Sequence, residues 1–149
     1  MDRKPLKRHP ALIPLSRQHH KGLILAQLLK SDVPDYKGLP TDVPGKVAFA
    51  KKELEERLSR HFDWEATVLI PATRACHEQL QAMSDQVQAE HRQISAQIQQ
   101  LSDTATPDDL DELGRLLEQH IRFEERVWFA AIQREVPETV LSQLPPLEA

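Results

Sequence analysis

Proline placement constrains this chain more than any other feature. Its 11 prolines leave four long windows without one, residues 15–33, 45–70, 72–106 and 108–136. Proline lacks a backbone donor and clashes with the preceding helical turn, so long helices can form only in such windows. The windows are rich in Leu, Ala, Gln, Glu, Lys and Arg, and the chain has only 4 glycines. These are strong helix formers, and four helices are expected.

The edges of the windows carry helix signals. Ser16 follows Pro14 and is an N-cap candidate for a first helix running to about Lys30. The stretch "SDVPDYKGLPTDVPG", residues 31–45, reads as a long crossing loop. A second helix is expected from about Lys46 to Ile70, stopped or kinked by Pro71, and a third from Cys76 or Glu78 to Leu101. Thr106, Pro107, Asp108 and Asp109 form a strong helix start: a cap, a proline at N1 and acids at the positive end of the dipole. The fourth helix then runs to about Glu135. The tail holds one short helical piece and frays at "LPPLEA".

A chain of 149 residues suits one domain. The bundle core is expected over about residues 12–136, with a basic arm at 1–11 and a tail at 137–149. Arg3, Lys4, Lys7 and Arg8 read as a loose solvated arm. The net charge of −4 gives no suggestion of a nucleic-acid surface, and no apolar run approaches the ~18–20 residues of a membrane span. Cys76 is the only cysteine and reads as an ordinary thiol, with no internal disulfide possible. A cytoplasmic protein is expected. The fold expected is all-α, an up-down-up-down four-helix bundle.

Apolar residues recur at alternating steps of three and four, the seam of a bundle. Leu80, Val87, Ile94, Ile98 and Leu101 mark one stripe, and Leu110, Leu113, Leu117, Val127 and Ala131 another. On the second helix the stripe passes Val47, Leu54, Leu58 and Val68. The interruptions are His and Glu: His61 with Glu65, His91, and His120 with Glu124. An i, i+4 step turns only about 40° and rises about 6 Å, so each His and its Glu face the same way. On the first helix, Leu23, Ile24 and Leu28 centre the apolar arc, which selects His20 as inward. His19 falls at the edge, where it could hydrogen-bond, line an access path or replace His20.

Buried carboxylates and imidazoles need strong partners. A metal centre answers that need, and a metal-free buried polar network is the alternative. Six N/O ligands exceed one tetrahedral zinc and suit two ions of Fe, Zn or Mn, with each Glu able to bridge. The order His, His-x-x-x-Glu repeats in the two halves of the chain, which implies a pseudo-two-fold axis. No Glu-x-x-His spacing of the ferritin-like di-iron bundles occurs, and no nucleophile elbow.

The stretches "LSRQHHKGL" at 15–23, "HFDWE" at 61–65, "EHRQI" at 90–94 and "HIRFEE" at 120–125 together resemble the hemerythrin-like, or HHE cation-binding, family. That resemblance implies a bundle holding two iron ions with an exchangeable oxo, hydroxo or water bridge. It implies His20, His61, Glu65, His91, His120 and Glu124 as ligands. The oxygen carriers of the family have a further His where this chain has Ser95, and usually an Asp where it has Glu125, so a more symmetric, histidine-poorer site is implied. Glu90 and Glu125 read first as exposed helix charges and second as hydrogen-bond partners of the ligands. The function expected is binding or sensing of iron, oxygen, nitric oxide or peroxide at a di-iron site. An enzyme acting on peroxide or nitric oxide, and a metal-free helical interaction protein, are the alternatives.

Overall fold

The structure is a computed structural model and describes residues 7–31, 34 and 38–147. Arg3, Lys4, part of the 31–45 connection and the last two residues lie outside that set. The described residues contain helices and no strand. Helix α1 is Ile13–Leu29, and Pro14 sits inside its first turn, where the missing N–H has no partner to lose. The start therefore precedes the expected Ser16.

Helix α2 is long and segmented. It comprises Val43–Glu53, a wide π turn at Leu54–Leu58, Ser59–Trp64, a second wide turn at Glu65–Leu69, and Ile70–Thr73. A tight 3-10 turn, Arg74–Cys76, ends it. The Asp42 side chain caps its start by accepting from the Gly45 N–H at 2.9 Å, so residues 43–45, expected in the loop, are helical. Pro71 neither stops nor ends α2. It falls in the first turn after the Glu65–Leu69 wide turn, where a missing donor matters least.

Helix α3 is Glu78–Gln100, capped by the His77 side chain. Helix α4 comprises Pro107–Phe123, a wide turn at Glu124–Trp128, and Phe129–Glu135. Its start is the expected one: Thr106 accepts from the Asp109 N–H and Asp109 accepts from the Thr106 N–H, a reciprocal capping box. A short helix, α5, is Glu138–Leu141.

Two apolar cores fix the topology. At one end, Leu25–Leu29 of α1 and Val47 and Leu54 of α2 meet Ile94 and Ile98 of α3 and Leu110–Leu117 of α4. At the other, Leu12 and Leu15 meet Leu69, Leu80, Val87, Trp128, Phe129 and Ile132. The C-terminal part of α1 thus joins the N-terminal part of α2 and of α4, and neighbours run antiparallel, up-down-up-down. Helices α1 and α4 approach closely through glycines. A Cβ on Gly22 would stand 2.7 Å from Ile121 Cδ1, and one on Gly114 2.8 Å from the Ala26 carbonyl oxygen.

The α3 stripe is buried as expected, whereas Val127 is 41% exposed and its neighbour Trp128 is fully buried. Likewise Val68 is half-buried and Leu69 fully buried. The cause is the wide turn in each helix. A π turn accommodates one extra residue, so every position beyond it is shifted one place from the 3.6-residue register.

Among the described residues, those nearest each end are docked on the bundle. Arg8 donates to the Gln133 side chain at 3.0 Å and to the Glu125 carboxylate at 3.0 Å, and lies over the Phe129 ring. Trp64 donates its indole N–H to the Pro145 carbonyl at 3.1 Å, in the tail expected to fray.

Candidate metal centre

Between the two apolar cores lies a layer of buried polar residues: His19, His61, Glu65, His91, His120 and Glu124. Five of these are the His and Glu that the sequence places on the buried stripes. His20 is the correction: it is exposed and stands outside the layer, and His19, 5% exposed, takes its place. The inward face of α1 is Leu12, Leu15, His19, Gly22, Ala26 and Leu29. Those steps of three and four were present in the sequence. They were masked because two members, Gly22 and Ala26, are small, while Leu23 and Ile24 are apolar but only half-buried.

All four rings turn Nε2 toward the two carboxylates. His19 Nε2 lies 2.8 Å from Glu124 Oε1, and His120 Nε2 2.7 Å from Glu124 Oε2. His91 Nε2 lies 2.9 Å from Glu65 Oε1 and 3.3 Å from Glu124 Oε2. His61 Nε2 lies 3.3 Å from Glu65 Oε2 and 3.6 Å from Glu124 Oε1. Donor atoms of His19, His61, Glu65 and Glu124 all fall within 4.8 Å of one another, as do those of Glu65, His91, His120 and Glu124. Either group could hold a metal ion.

Despite this closeness, His61 Nε2, His120 Nε2 and both Glu65 oxygens make no hydrogen bond. Four buried, unsatisfied polar atoms in one layer would be expensive in a purely structural network. Atoms that gather without pairing off are what a set of metal ligands presents. The donor set, imidazole nitrogen and carboxylate oxygen, fits first-row transition metals.

The far side of each ring is held as well. His19 Nδ1 meets Glu125 at 2.7 Å, and His120 Nδ1 meets Glu90 at 2.7 Å. His61 Nδ1 donates to the Gln18 side-chain oxygen at 2.9 Å. Glu90 and Glu125, read first as exposed charges, are thus ring partners; their signal was adjacency to His91 and Glu124. Gln18 and Arg8 carried no signal, since a neutral amide and a basic arm have no fixed spacing to a ligand. Phe62 stacks on His91 at 4.0 Å and Phe129 on His19 at 5.5 Å, which restricts ring rotation.

The family model described as "Hemerythrin HHE cation binding domain" matches residues 13–132. The chain belongs to the hemerythrin HHE cation-binding family. No curated protein and no solved structure matches it. The matched span contains all six clustered residues together with Gln18, Glu90 and Glu125, whereas Arg8 and Gln133 lie outside it. The family is a metal-binding one, and the buried groups are of a kind to bind metal.

The layer is also electrostatically strained without a metal. Burial and the Glu124 carboxylate push the Glu65 carboxyl up to about 8. Burial pulls His120 down, but Glu124 and Glu90 outweigh it and raise the ring to about 10. Burial opposes the charge on Glu124 too, yet His120, His19 and His61 hold it well below its usual value. One carboxyl protonated and one ionised, within a cluster of imidazoles, is a set of groups competing for protons in place of a cation. Among the described residues, no helix is long and apolar enough to cross a membrane.

Proposed function

We propose that this chain binds two metal ions, iron in both positions, and uses the pair to bind or sense a small molecule such as dioxygen, nitric oxide or peroxide. One observation carries the reading. Glu65 and Glu124 each belong to two four-residue groups, one completed by His19 and His61 and the other by His91 and His120. Two carboxylates shared between two pairs of imidazoles are residues that would hold two ions, one at each group. His19 replaces the expected His20 in this set, and zinc or manganese would satisfy the same donors.

Two iron ions held there would supply redox change and exchangeable coordination positions. The chain's residues do the rest. Glu125 and Glu90 take the Nδ1 protons of His19 and His120, which leaves the Nε2 lone pairs free and strengthens them as donors. The apolar cores on both sides exclude water. A cavity of ≈ 20 Å³ bordered by His19, His61, Leu58, Leu117, His120 and Ile121 has room for about one water-sized molecule, which suits a diatomic or peroxide ligand.

Elemental analysis of the purified protein tests the reading directly, with close to two metal ions per chain expected and iron dominant. Metal content unchanged in both His61→Ala and Glu124→Ala would end it. Binding and turnover separate by stopped-flow mixing of the reduced protein with peroxide or nitric oxide. A single stoichiometric reaction supports binding or sensing, and repeated turnover supports the enzyme alternative.

A further inference from the structure

The chain is acidic overall, with a net charge of −4, yet one groove concentrates positive charge. Arg17 and Lys21, one turn apart on α1, face Arg57 and Arg60 on α2 across a cavity of ≈ 580 Å³. Glu56 is the one acid in its wall among the described residues. Arg57 is within 3.4 Å of Glu53, but Arg17, Lys21 and Arg60 have no carboxylate partner among the described residues. Four like charges around one concavity repel each other and gain nothing for the fold, while they raise the local concentration of anions. The volume falls in the range of small-molecule sites, roughly 300–1,000 Å³.

The inner wall gives the groove a position. Gln18 lines both it and the small cavity beside the His/Glu layer. Its side-chain oxygen accepts the hydrogen bond from His61 Nδ1–H, so its amide N–H2, with no partner among the described residues, is left as a neutral donor among the cations. Guanidinium forks, an ammonium and an amide donor around one space match the oxygens of phosphate or carboxylate groups.

We propose that the α1–α2 groove is a binding site for a small multiply charged anion bearing phosphate or carboxylate groups, held by Arg17, Lys21, Arg57 and Arg60 with Gln18 at its floor. The site goes beyond the metal reading and does not depend on it. A ligand there lies one side chain from His61, so an anionic molecule in the groove approaches the buried layer through a wall of positive charge.

Isothermal titration of the protein as purified, with inorganic pyrophosphate in one arm and glutarate in the other, tests the site. One saturable site per chain is expected for at least one anion, weakened tenfold or more when salt is raised from about 20 to 200 mM. Arg17→Glu and Arg60→Glu, both exposed and outside the His/Glu layer, should each weaken binding at least tenfold. Arg134→Glu, an equal charge change elsewhere, should leave it unchanged. Metal is counted before and after each titration. Absence of saturable binding to both anions overturns the site, as does equal binding by Arg17→Glu, Arg60→Glu and Arg134→Glu. A single-stranded oligonucleotide binding tenfold tighter than either anion also overturns it. Binding that follows the charge variants in protein found to contain no metal supports the groove and ends the metal reading alone.

Discussion

The two halves of the bundle repeat one order of residues but hold their rings differently. In the α1–α2 half, His19 leans on Glu125, itself held by Arg8, while His61 leans on the neutral amide of Gln18. In the α3–α4 half, His120 leans on Glu90, while His91 has no partner on Nδ1 among the described residues and is held by the Phe62 ring instead. Each half therefore has one ring fixed by a carboxylate and one held more weakly. The repeat supplies the four rings; the partners, which differ, make the two groups unequal. The α1–α2 half also borders the small cavity and the basic groove. The α3–α4 half has His91 at a shallower groove with Asp63, Gln88 and Ser95.

The largest effect should erase the comparison altogether. Glu124 serves both halves, so Glu124→Ala should lose both metals, whereas His19→Ala and His91→Ala should each weaken one position. Elemental analysis reads the difference, and His20→Ala is expected to match the unaltered protein. A Glu124→Ala protein that keeps one full metal would show that the carboxylate is not shared.

Next in size is the packing beyond each wide turn. Trp128→Ala should destabilise by about 3–5 kcal/mol and Leu69→Ala by about 2–5 kcal/mol, while Val127→Ala should stay within about 1 kcal/mol. Denaturant unfolding checks the order. If Val127 proved as costly as Trp128, α4 would follow plain helical register and the wide turn would be wrong.

The carboxylate-supported rings give a subtler contrast. Glu125→Gln should weaken one metal position by about 10–100-fold and Glu90→Gln the other, measured by competition with a chelator. Biphasic release, with opposite phases affected by the two variants, would sharpen the distinction between halves. Identical release curves would remove it.

The smallest effect is a slope with pH. In the metal-free protein, Glu65 titrates at about 8 against 4.5 when unfolded, and His120 at about 10 against 6.5. Both pKa values are raised, so the native state binds more protons than the unfolded state between those values. Their stabilisation is complete below about 4.5 and 6.5 and is lost as pH rises through about 8 and 10. Glu124, held low, contributes the opposite sign and loses its share only as pH falls below its ordinary 4.5. Thermal melts of metal-free protein should therefore weaken from about pH 5 to 10. Metal-loaded protein should show the reverse at the acid end, because metal binding needs the ligands deprotonated. Parallel slopes in the two forms would contradict a metal competing with these protons.

Most of the architecture was legible because it rests on local rules. Proline-free windows gave the helices, and Thr106–Asp109 gave a cap that needs only four residues. The α3 stripe was legible because α3 has no wide turn. The same reasoning failed at Val68 and Val127, since a π turn leaves no signature in hydrophobic periodicity except the shift that it causes. It failed at His20 for a different reason. Helix α1 packs through Gly22 against Ile121, and a periodicity weighted by hydrophobicity gives no credit to a residue whose contribution is having no side chain. His91, His120 and Glu124 could be read because no wide turn precedes them in their helices, whereas His61 and Glu65 follow the Leu54–Leu58 turn and were legible from their His-x-x-x-Glu spacing. Gln18 and Arg8 depend on where another helix and the N-terminal segment come to rest, which no spacing along the chain encodes.

Two of the three wide turns open on the shared glutamates, at Glu65 and Glu124. Each acts as a one-residue spacer between two registers of the same helix, one set by the buried His/Glu layer and one by the far core. Deleting one residue from 66–68 or 126–127 would remove the residue that the wide turn absorbs and restore an ordinary helix, with everything beyond it still facing the same way. Leu69 and Trp128 would then stay in the core, whereas closing either wide turn without a deletion would swing them out by about 100°. The boundary between the chemical layer and the structural end of each helix is drawn by counting residues, not by choosing them.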